Sequence, residues 1–291
     1  MRRCKASTGT VRRGTTFRND VEVTATNAPR DAVADAVRRD RIVIGVCVAL
    51  IVILAWAYLV SVAKRMSSSG AMTGSMAGMS MPMSTSWRLG DFAFTLTMWS
   101  VTMVGMMAPS ATPMLLLFAR SRAQRGAGGV PSVVLLFGLG YFVVWVGFSA
   151  LATLAQWSLH TAALLSPAMV VASPRLAGAV LIGAGLYQWS PAKNTCLHHC
   201  QSPVGFLMSH WRDGARGALQ MGLHHGFYCL GCCWALMVVL FAVGVMNLAW
   251  VGLLTVFVLL ERLGRWGSWV ARLGGGVLVT LGVLMLAGIP R

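Results

Sequence analysis

Five of the seven cysteines and five of the six histidines of this 291-residue chain lie between Cys196 and Cys233. Thiolate and imidazole are the soft and borderline donors that hold copper and zinc, so the density of both in one short window predicts a metal or thiol centre. The window opens with PAKNTCLHHCQSP, residues 191–203, in which Cys196 and Cys200 bracket His198 and His199. This is a compact donor set, although structural zinc loops and redox switches use similar spacing.

Further along, His225, Cys229, Cys232 and Cys233 recur at i, i+4, i+7 and i+8, which places them on one face of a helix. Met221 and Met237 extend that face by a turn at either end. Buried cysteine also packs as a small hydrophobe and methionine fills gaps, so each residue alone reads as core. Together with the CxxxC segment the stripe reads as a ladder of ligands. His210 and His224 read instead as interface residues.

A second set of sulfur donors lies in TMWSVTMVGMMAPSATPM, residues 97–114, where Met103 and Met107 are one helical turn apart and Met106 is one step round. Pro109 and Pro113 interrupt the backbone ladder there, freeing carbonyls that need partners inside the protein. A third set is MSSSGAMTGSMAGMSMPM, residues 66–83, with six methionines among small residues. Thioether sulfur prefers Cu(I) and survives in an oxidising compartment, so this segment reads as a copper collector outside the membrane.

The elements that position these donors follow from composition. Apolar residues make up 56% of the chain and charged residues 11%, and the apolar ones fall in long runs. Crossing a bilayer takes about 20 helical residues. Seven stretches approach that length, at residues 42–62, 92–119, 131–152, 176–189, 223–245, 248–260 and 270–289. The fourth and sixth are short, so a six-span count is the alternative. The expected fold is an all-α polytopic transmembrane helical bundle with a cytoplasmic N-terminus. Residues 1–40 read as a disordered basic cytoplasmic tail with room for a short helix at 31–39, and 41–65 as the first transmembrane helix. Residues 66–90 read as a Met-rich outer loop and 91–291 as the metal-binding bundle.

Orientation comes from the basic residues. With the N-terminus inside, nineteen Lys and Arg fall on the inner side and five on the outer. The formal charge of +16 is then topology and attraction to anionic lipid, and no aromatic-basic groove for nucleic acid accompanies it. Glu261, beside Arg262 and Arg265, reads as an end-of-span anchor, and Asn247 as a turn former. The scarcity of carboxylates argues against a hard-metal site, and no phosphate-binding loop is present.

The runs at residues 99–113, 191–203, 229–237 and 244–250 together resemble the bacterial family called domain of unknown function 2182. Its members are described as predicted metal-binding integral membrane proteins and sometimes labelled copper chaperones. The resemblance spans roughly residues 92–286. It implies that Cys196, Cys200, Cys229, Cys232 and Cys233 are the family's motif cysteines, and that Met106, Met107, Pro109, Ser110 and Pro113 form its MMxPSxxP element. Gln201 departs from that pattern, in which arginine is expected. The resemblance also implies a bacterial inner, or plasma, membrane setting.

The expected ligands are thus Cys196, Cys200, Cys229, Cys232, Cys233, His225, His198, His199, Met103, Met106 and Met107, with Cu(I) as the first metal and zinc as the second. The expected partners are the lipid bilayer and a copper donor or acceptor protein, with no nucleic acid. Two other classes compete: a membrane thiol-disulfide oxidoreductase using Cys229 with Cys232 and Cys196 with Cys200, and a protein with a structural zinc site. The first needs a thiol pair reachable from outside, which this chain lacks, so a non-enzymatic copper protein is favoured.

Overall fold

The computed structural model describes residues 28–74, 87–125, 130–162, 173–264 and 266–288. Among the described residues the chain is all-α, with no strand. The helices are α1 (Ala28–Gly74), α2 (Leu89–Gln124), α3 (Val130–Thr161), α4 (Pro174–Gln188), α5 (Pro191–Gln201), α6 (Pro203–His210), α7 (Gly214–Val243), α8 (Leu248–Leu263) and α9 (Gly267–Leu286).

Five are long and apolar enough to cross a membrane: the Arg38–Arg65 part of α1, with α2, α3, α7 and α9. The other two expected spans are α4, with 15 residues, and α8, with 16. At 1.5 Å per residue neither covers a hydrocarbon core of about 30 Å by itself. The seven-span expectation is therefore met by five helices.

The structure departs from the sequence reading in three further places. Helix α1 begins at Ala28, inside the expected disordered tail, where alanine and arginine favour helix. It also runs on to Gly74, so the first part of the Met-rich segment is helical rather than loop, and residues 75–83 lie outside the described residues. The expected inner loop at 190–217 is mostly helical. Pro191 and Pro203 occupy the first turns of α5 and α6, where the missing N–H costs nothing, and the Ser190 side chain accepts from the Lys193 N–H at 3.2 Å.

Small residues set the tightest crossings. At Gly140 of α3 and Gly222 of α7, an added Cβ would strike the partner helix's backbone. Gly178 and Gly185 of α4 stand against Gly282 and Gly275 of α9 in the same way. Such contacts let backbones approach without bulky side chains between them. Gly244, at φ 91°, ends α7, and Asn247 then caps α8 by accepting from the Trp250 N–H at 3.4 Å. The outward surface of α1 remains apolar, with Ile42, Ile53 and Leu54 all exposed.

Candidate metal centre

Helix α7 delivers the central donors. Met221, His225, Cys229, Cys232, Cys233 and Met237 are all buried, as expected for one inward face of that helix. The three cysteines share a core with Met103, Met106 and Met107 of α2, all fully buried, and Cys196 and Cys200 of α5 pack against the same core. Sulfur from three helices thus gathers in one region.

Two contacts bring α5 onto α7. Cys200 packs against the core that holds Cys232, and the two thiols interact. Cys196 lies over Gly231, where an added Cβ would come within 2.8 Å of its Sγ. The interaction with Cys232, with burial, raises the Cys200 thiol well above its usual range, and burial raises Cys196. The expected CxxxC loop is therefore one helical turn, with both sulfurs on the side that faces α7.

The sequence reading missed two residues at this centre. Arg262 of α8, counted as an inner-side charge, is buried: its Nη2 donates to Cys232 Sγ at 3.0 Å and to the Cys229 carbonyl at 3.1 Å, with Cys233 Sγ at 3.8 Å. Its Nη1 donates to Ser110 Oγ at 2.9 Å, and Ser110 in turn donates to the Met107 carbonyl at 2.9 Å. One guanidinium therefore links α8, α7 and the proline-bearing part of α2. Tyr141 of α3 is the second, with its hydroxyl 2.8 Å from Cys229 Sγ and 3.4 Å from the Met107 carbonyl.

Beneath them lies a buried ion pair. Lys193 Nζ donates to both Glu261 carboxylate oxygens, at 2.8 and 2.9 Å, and both side chains are buried. Gln201 Nε2 donates to the Glu261 carbonyl at 2.6 Å, which gives the residue at the expected arginine position a docking role. Lys193, counted as a topological charge, instead clamps α5 to α8. The signal was in the sequence: Lys193 is the single lysine or arginine between Arg175 and Arg212, and Glu261 the single acid after Asp213.

The histidines separate. His225 is buried among the rings of Phe137, Tyr141 and Phe206, and its Nδ1 has no hydrogen-bond partner. A buried, unpaired imidazole nitrogen is costly unless something binds it. His199 stacks on Tyr228 at 4.5 Å between ring centres and donates from Nδ1 to the Thr195 carbonyl. His198 is exposed. Neither is brought to the thiols.

Among the described residues no three His, Cys, Asp or Glu side chains form a ready-made metal cage. The six described cysteines are free thiols. A family model for a copper chaperone, PpoB2, matches residues 96–285. The chain belongs to the PpoB2 copper chaperone family. The match spans the helices that carry the thiols, Tyr141 and Arg262. No curated protein and no solved structure matches the chain. The copper chaperone family thus accords with the resemblance read from the cysteine and methionine motifs.

Proposed function

We propose that this member of the copper chaperone family is an integral membrane protein that binds Cu(I) at the meeting of α5 and α7 and passes it to or from a protein partner. The observation that carries the reading is that Cys196 and Cys200 of α5 pack against the core that holds Cys229, Cys232 and Cys233 of α7, beside a buried guanidinium that has Ser110 and sulfur for partners. Cu(I) accepts as few as two sulfur ligands, so it needs no four-donor cage. A structural zinc site does. A cuprous ion between two thiolates leaves one negative charge, which the Arg262 guanidinium is placed to balance.

Cys200 and Cys232 form the core of the site, with Cys229 and Cys233 on the same face of α7 as Cys232 and Cys196 over Gly231 on the α5 side. Met103, Met106 and Met107 supply weaker thioether donors on the α2 side, and the free Nδ1 of His225 marks a further donor toward α6. Moving from thioether to thiolate strengthens the hold on Cu(I). The setting is a bacterial inner membrane with the N-terminus in the cytoplasm. Setting aside the buried Lys193 and Arg262, the inner side carries seventeen basic residues against five when all seven apolar stretches cross, and fifteen against seven when only the five long helices do, so the bias keeps its sign either way.

Metal analysis of the purified protein tests the reading. Wild type is expected to hold Cu(I), and the Cys229→Ser, Cys232→Ser, Cys233→Ser triple variant to lose the copper that the thiols hold. Stoichiometric zinc, unaffected by copper supply, would replace this reading with the structural zinc site. Metal-free protein cycling between dithiol and disulfide would replace it with the oxidoreductase.

A further inference from the structure

His210, the last residue of α6, and His224 of α7 face each other with ring centres 5.8 Å apart. His224 is exposed and His210 half-buried. Their hydrogen bonds fix where the lone pairs lie. His224 Nδ1 is 2.8 Å from the Gln220 carbonyl, which can only accept, so the ring donates there and its Nε2 is bare. His210 Nδ1 is 2.8 Å from Ser209 Oγ. That hydroxyl also lies 2.9 Å from the Gly205 carbonyl, and when it donates there it accepts from Nδ1, which is the tautomer that leaves the Nε2 lone pair of His210 open to a metal. An imidazole anchored through one nitrogen, with the other free, is the arrangement of metal-ligating histidine.

The spacing agrees. With a metal–nitrogen bond of about 2.0 Å, each ring centre sits about 3.2 Å from a shared ion. Two such rings are then about 5.2 Å apart at a tetrahedral angle and about 6.4 Å apart in line. The observed separation lies between these limits. His210 also lies 6.1 Å from the Tyr228 ring, the residue before Cys229, and His224 precedes the buried His225.

We propose that His210 and His224 form a second, surface copper site, in which neutral Nε2 lone pairs hold the ion at the rim of the buried thiol centre. Binding at the pair stands by itself; onward passage to the thiols rests on the function proposed above.

The test uses the full chain in detergent with Cu(I) buffered by bicinchoninate. Modification of His210 and His224 by diethyl pyrocarbonate, read on peptides by mass spectrometry, should slow about tenfold or more with copper, while His160 is unchanged. His210→Ala and His224→Ala should each lose one copper equivalent that Cys232→Ser retains. Ser209→Ala removes the anchor of His210 and should weaken that equivalent about 10- to 100-fold. Unprotected histidines, or unchanged stoichiometry in both histidine variants, would overturn the site. If Cys232→Ser loses no copper while His224→Ala does, the surface site stands and the buried thiol centre falls.

Discussion

The guanidinium of Arg262 donates to the sulfur of Cys232 at 3.0 Å, from a helix whose sequence reads as plain apolar membrane filler. A buried charge held by sulfur, a hydroxyl and a carbonyl has exchanged its hydration for those partners. Hydrogen bonds to charged groups contribute about 1.5–3 kcal/mol each. Arg262→Gln is expected to weaken Cu(I) retention about 10- to 100-fold in competition with a chelator. Wild-type retention in this variant would remove the guanidinium from the site's electrostatics.

The Lys193–Glu261 pair sets a stability prediction. Glu261→Gln leaves the Lys193 ammonium buried beside a neutral amide and should cost about 3–5 kcal/mol, because removing one partner of a buried pair strands the other. The double change Lys193→Met with Glu261→Leu should recover most of that loss. Unfolding followed by tryptophan fluorescence compares the three. Equal stability of Glu261→Gln and wild type would mean that α5 is held by other contacts.

Gly231 sets a steric one. A side chain there meets Cys196 Sγ, whereas Gly183 has nothing within 4 Å of an added Cβ. Gly231→Val should displace α5 and lower copper stoichiometry, and Gly183→Val should leave it unchanged. Identical copper content in both variants would show that Cys196 need not lie over α7.

The two α5 thiols give a pH dependence. Both are raised, Cys200 by its interaction with Cys232 and by burial, Cys196 by burial. A raised thiol pKa means less thiolate at neutral pH, hence slower alkylation than free cysteine, recovering as the pH rises past the ordinary thiol range. Iodoacetamide labelling across pH, read peptide by peptide, measures it. Neutral-pH rates equal to free cysteine would show that α5 does not dock as described.

Tyr141→Phe deletes the hydroxyl that reaches Cys229 and the Met107 carbonyl. A loss of about 1–2 kcal/mol is expected, since both partners stay buried. Thermal unfolding in detergent checks it, and an unchanged midpoint would show the hydroxyl to be idle.

Much of the donor face was legible in the sequence because it lies on one helix. The i, i+4, i+7, i+8 spacing needs only the helical period, and His225, Cys229, Cys232 and Cys233 are buried together as that period requires. Cys196 and Cys200 were legible as a pair, but not as one turn of α5, because the CxxxC pattern suits loop and helix alike. Arg262 was opaque for a different reason. Its partners lie 29 to 152 positions away along the chain, and local pattern reads a charge at the end of an apolar run only by its side of the membrane. The span count is supported for five helices only, because α4 and α8 have the composition of crossing helices and not the length.

The clamp between Lys193 and Glu261 has a consequence for the charge around the thiols. Helix α5 is polar, yet it sits against the buried core through Leu197, Cys196 and Cys200. Because its lysine is neutralised on the spot by a carboxylate from α8, the helix adds no net positive charge beside the sulfurs, and Arg262 is left as the one cation in contact with them among the described residues.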